Sequence, residues 1–184
     1  MTPATMAAGS HALHQRAAVA RLLLARAGDA ATALDWESLD RAPAWLALPA
    51  DELAALQRRL GAVHCAGTLR RWIDSARLGA ARQVLGEPFF QALLASDPVA
   101  DPADPPAIHT AAQVEPLLRH VGAAVLVSAL PPGRLRRVVE AALKPGVALT
   151  LAQDAADTTL TRVQALLAQM SAAPSATARS EVLA

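Results

Sequence analysis

The sequence is poor in most of the residues that carry chemistry. Among its 184 residues there is one cysteine, one lysine and no tyrosine, and aromatic residues make up only 3%. A lone thiol, Cys65, excludes a disulfide within the chain and suits a reducing compartment. The lone lysine, Lys144, is followed by Pro145, which offers little to Schiff-base or phosphate chemistry. The sequence contains no GxxxxGK[ST] loop, no GxGxxG turn and no GxSxG elbow. Long apolar runs are missing too. The longest, 121–130, is interrupted by Ser128 and is about half of the ~20 residues a membrane span needs, so no membrane insertion is expected. Residues 1–9 carry no positive charge ahead of an apolar run, so no secretory signal is expected either. The formal net charge of +1 provides no global field to draw in nucleic acid or an anionic membrane.

What the chain does have is helix-forming apolar residues. Hydrophobic residues amount to 53%, enough to repay the entropy of ordering, and most are alanine and leucine. β-Branched and aromatic residues, which strands favour, are scarce by comparison. The fold class expected is mainly α, an irregular multi-helix bundle.

Periodicity and punctuation place the helices. Ser10 is a candidate cap for a first helix running to Ala27, with Gly28 at its C-terminal cap. Residues 29–42 read as irregular, anchored to the core by Trp36 and Leu39. Pro43 starts a short turn, and Pro49 opens an amphipathic helix with a stripe of Leu53, Leu56, Leu60 and Val63. Three short segments follow, 68–74, 75–85 and 87–95, punctuated by Gly67, Ser75, Gly86 and Pro88. Prolines and aspartates then break residues 96–107 into an extended linker. Thr110 and Gln113 form a capping-box pattern ahead of the next helix. The last part of that helix, 123–130, is apolar nearly all round and rich in valine, and a short strand or hairpin is the alternative reading there. Leu135, Val138, Val139 and Ala142 mark one further helix, and Leu160, Val163, Leu167 and Met170 mark another over 155–170. The organisation expected is an N-terminal helical region (1–95), the linker (96–107), a C-terminal helical region (108–171) and a fraying tail (172–184).

Candidates for chemistry are few. His64 and Cys65 are adjacent, but neighbours on a helix diverge by about 100°, so the pair would not face each other as base and nucleophile. His11 and His14 lie one turn apart with no third ligand nearby. Asp97, Asp101 and Asp104 lack the glycine and closing glutamate of a calcium loop. No cofactor, metal or catalytic residue is expected. The basic residues Arg70, Arg71, Arg134, Arg136 and Arg137 are the candidates for binding another protein. They are too few, and too well balanced by acids, for a nucleic-acid surface. Trp72 and Ile73 are expected to turn inward beside Arg70 and Arg71, leaving at least one guanidinium outward for a partner's carboxylates.

Residues 43–96 resemble a known family. The order is Pro43-Ala-Trp45-Leu46, a leucine-rich helix, Leu60-Gly61-Ala62-Val63-His64, Leu69-Arg70-Arg71-Trp72-Ile73-Asp74, and Val84-Leu85-Gly86-Glu87. This run is similar to the SctK (YscK) family, the cytosolic accessory proteins of bacterial type III secretion systems. The resemblance implies a non-enzymatic adaptor of the cytoplasmic sorting platform. Its partners would be the cytosolic domain of the inner-membrane ring and the pod protein. A generic helical protein-binding module, a secretion chaperone and a small thiol-dependent enzyme are the alternatives.

Overall fold

Helices form at nearly every place where pattern and punctuation predict them. The computed structural model describes residues 3–96, 108–146 and 151–172. Among these, the chain runs through α1 (Pro3–Ala27), a 3-10 turn (Gly28–Ala33), α2 (Trp36–Asp40), a second 3-10 turn (Ala44–Ala47), α3 (Ala50–His64), α4 (Ala66–Arg71), α5 (Ser75–Leu85) and α6 (Glu87–Ala95). A third 3-10 turn (Ala111–Gln113) leads into α7 (Val114–Ser128), and α8 (Arg134–Leu143) and α9 (Gln153–Ala172) follow. No strand occurs among the described residues. The proposed linker, with Asp97, Asp101 and Asp104, lies outside them from residue 97, as does the tail from residue 173.

Local signals set most boundaries. Gly28 takes φ +56° where α1 ends, and Gly86 takes φ +80° between α5 and α6, a region that side chains disfavour. The Asp35 carboxylate accepts from the Ser38 N–H at 2.8 Å and caps α2. The Gln113 side chain reaches back to accept the Thr110 N–H at 3.1 Å, one half of the capping box. One expectation needs correction. Ser10 is not a cap, because α1 already begins at Pro3. Asp74 caps α5, accepting the Ala76 N–H at 2.9 Å, with Ser75 in the first turn. Residues 123–128 continue α7 as helix, since every residue from 121 to 128 is buried there and a fully enclosed helix has no polar face.

The centre of the fold is the contact between α3 and α7, the most extensive among the described residues. Two glycines make it possible. A Cβ on Gly61 would collide with the backbone carbonyl of Leu118, and one on Gly122 would collide with that of Gln57. The reciprocal order, 57 with 122 and 61 with 118, makes the helices antiparallel and brings their backbones into contact.

Two hydrophobic clusters surround this pair. One joins α3 to α7 with α9, including Leu53, Leu60, Leu69, Phe89, Leu118 and Val163. The other joins α1 to α8, including Val19, Leu23, Leu46, Val127, Val138 and Val139. Both clusters draw on residues before and after the 96–107 segment. Regions 1–95 and 108–171 are therefore distinct in sequence but share their cores.

Candidate protein-docking surfaces

The residues singled out for chemistry fall mostly inside the packing. Cys65 is 1% exposed at the junction of α3 and α4, which closes the thiol to any substrate. The neighbouring His64 is half-buried, and its Nε2 is buried without a hydrogen-bond partner among the described residues. Burial pushes this imidazole below its ordinary pKa. His14 is exposed on α1, while the His11 side chain lies outside the described residues. No group of three His, Cys, Asp or Glu side chains placed to hold a metal ion occurs among the described residues.

The depressed His64 pKa has a consequence for stability. The folded state resists protonation that the unfolded chain accepts near pH 6.5, so this contribution is fully present above that value. It is lost as pH falls from there towards the lower folded pKa. The denaturant midpoint should drop between about pH 7.5 and about pH 5.5, and His64→Gln should shrink that drop. An equal drop in the variant would show that another group titrates. The carboxyls of Asp35 and Asp74 also sit below their ordinary range. Asp35 is lowered mainly by hydrogen bonds from Ser38, and Asp74 by the Ala76 N–H and the Arg77 side chain. Both act at more acid pH, below the ordinary carboxylate pKa near 4.

The arginine pair divides. Arg70 is half-buried, and its Nη2 donates to the carbonyls of Leu93 (2.8 Å) and Ser96. These groups belong to the end of α6, so Arg70 caps that helix and ties α4 to it. Its Nη1 is buried with no hydrogen-bond partner among the described residues. Arg71 is exposed, with Nη2 3.4 Å from Thr68 Oγ1.

Trp72 turns inward, at 9% exposure, with the Arg77 guanidinium 5.3 Å from its ring. Ile73 does not. It is 96% exposed, against the expectation that both would be buried. The cause is local: α4 stops at Arg71 and Trp72 is already extended, with φ −70° and ψ 130°. Successive side chains of an extended chain point to opposite sides, so burying Trp72 expels Ile73.

Trp36 departs from expectation in the same way. Leu39 anchors α2 at 9% exposure, but Trp36, at the first position of that helix, is 73% exposed. It lines an apolar cleft of about 180 Å³ together with Leu23, Leu24, Ala31 and Leu34. Leu24 is itself 50% exposed.

On α8, Arg134 and Arg137 are exposed and Arg136 is half-buried, outside the stripe that Val138, Val139 and Ala142 bury. The charge of Arg134 reaches Asp35 and helps to lower its pKa. The arginine candidates are therefore not gathered into one patch. Arg70 and Arg71 follow the α3–α7 cluster, whereas α8 belongs to the cluster built on α1.

Sequence reasoning did not find an open concavity of about 540 Å³ beside α7. It is lined in part by Arg58, Gln83 and Glu115, and Arg58 and Glu115 form an ion pair at 3.1 Å. The partners are 57 residues apart, a distance at which no local pattern reports pairing.

No protein-family model, no curated protein and no solved structure matches the chain. The fold defines an all-α multi-helix protein, and no helix among the described residues is long and apolar enough to cross a membrane. Its most unusual surface features are the exposed apolar side chains Trp36, Leu24 and Ile73.

Proposed function

We propose that this protein is a non-enzymatic adaptor of a type III secretion system, cytoplasmic and associated with the inner face of the membrane ring. It would link that ring's cytosolic domain to the pod protein of the sorting platform. The observation that carries the reading is the resemblance of residues 43–96 to the SctK family. Its hydrophobic markers Leu46, Leu60, Leu69 and Leu85 pack inside the protein, while Arg71 and Ile73 stand outward at the end of α4. An exposed branched apolar residue beside a guanidinium suits a partner surface that offers an apolar pocket with a carboxylate at its rim. Arg134 and Arg137 offer a second cationic face on α8. Arg70 is better explained as the α6 cap.

The test is co-purification with the ring domain and with the pod protein, comparing the parent with Arg71→Glu/Ile73→Asp. The double variant should lose at least ~10-fold in affinity for one of them, because a desolvated charge reversal costs more than an exposed ion pair contributes. Its helix content by circular dichroism should match the parent's. Undiminished binding to both proteins would remove this corner from the interface, and failure of the parent to bind either would remove the proposed role.

A further inference from the structure

We infer that the recess beside Gln57, where α3 meets α7, binds the carboxyl terminus of a polypeptide through its carboxylate and the peptide group next to it. The starting point is a polar residue in an apolar place. Gln57 lies on the buried stripe of α3 between Leu53 and Leu60 and is itself only 5% exposed. Its side-chain amide makes no hydrogen bond among the described residues. A buried amide without a partner costs stability, and a leucine here would continue the stripe.

Gln57 borders an open recess of about 280 Å³, whose other walls are Glu115, Pro116, Arg119 and His120 of α7. Arg119 is exposed and makes no ion pair among the described residues. The charge of Glu115 is offset by Arg58 at 3.1 Å, so Arg119 leaves the recess positive. Gly146 packs so closely on His120 that a Cβ there would lie 2.8 Å from the ring Nδ1. That wall is built from two elements.

A terminal carboxylate answers Arg119, whose guanidinium can donate to both of its oxygens. The adjoining peptide group answers Gln57. Its carbonyl accepts from the side-chain NH2, and its N–H donates to the side-chain oxygen. Acetate or an inorganic anion would satisfy the arginine and leave the amide unmet. Glu115 and Pro116 also border the concavity of about 540 Å³, so a chain ending in the smaller space can continue into the larger. This continuity favours a polypeptide over a free small acid.

The test follows the side-chain NH2 resonances of Gln57 in the 15N-labelled full chain, assigned by their loss in Gln57→Leu. Acetylated trialanine with a free carboxylate is compared with the same peptide as its amide, and with acetate. The free acid should shift the Gln57 resonances saturably, with a Kd on the order of 1 mM, and the other two should bind about 5-fold or more weakly. Arg119→Gln should weaken the free acid by a similar factor and leave the fold intact, because the residue is exposed. In Gln57→Leu, read at the backbone amides of Arg119 and His120, the preference for peptide over acetate should vanish. That variant should melt at or above the parent's temperature. No shift at Gln57 would mean that the recess holds only water, and overturns the inference. Acetate or the peptide amide binding as tightly as the free acid also overturns it. So does a Gln57→Leu chain that melts well below the parent, which would give the amide a structural role. None of these outcomes involves ring or pod protein, so each is separate from the adaptor reading.

Discussion

Gly122→Ala is expected to be among the most damaging single substitutions in this protein, costing about 3 kcal/mol or more of folding stability, with Gly61→Ala close behind. A methyl group is small, but at these positions it would meet the backbone of the opposite helix rather than a side chain able to swing aside. Relief requires the axes of α3 and α7 to move apart, and that contact is the largest in the fold, so the loss spreads to Leu53, Leu60, Leu118 and Val125 around it. Gly79→Ala on α5 supplies the opposite sign. Its added Cβ meets nothing within 4 Å, so the same chemical change should stabilise by about 0.5–1 kcal/mol through helix propensity. Chemical denaturation of the three variants decides the matter. A Gly122→Ala midpoint equal to the parent's would mean that the two helices do not touch through their backbones.

The second large effect separates two neighbours. Trp72→Ala should cost about 3–5 kcal/mol, since the ring is almost wholly buried and Arg77 loses the face it lies against. Ile73→Ala should fall within about 0.5 kcal/mol of the parent, because the isoleucine is 96% exposed. The pair should also separate in function, with Ile73 variants folding normally while losing partner binding. Equal destabilisation by both substitutions would mean that the backbone after α4 does not run extended.

The Trp72–Ile73 pair shows how legible the molecule was. The hydrophobicity of both residues was visible, and so was the end of a helix nearby. Which of them goes inside depends on where α4 stops, and a helix of six residues has too little propensity of its own to set that point. Arg70 could not be read for a related reason. Its acceptors, the carbonyls of Leu93 and Ser96, are more than twenty residues away and become available only once α6 has formed and docked. In the sequence Trp36 reads as an anchor because large aromatic residues are usually buried, and the cleft beside it takes shape only when α1 and α2 come together.

The sequence alone determined that this protein is helical, and roughly where its helices begin and end. Those outcomes follow from alanine and leucine propensity, from apolar residues recurring at helical spacing, and from residues such as Pro49, Gly86 and Gln113 acting on backbone a few positions away. Tertiary structure decided which helices meet, that residues before and after the 96–107 segment share their cores, and which apolar side chains are left outside. The physical reason is range. Capping and periodicity operate within a turn or two, whereas the approach of Gly61 to Leu118, the closing of Arg70 onto α6 and the exposure of Trp36 are settled by packing between elements far apart in the chain.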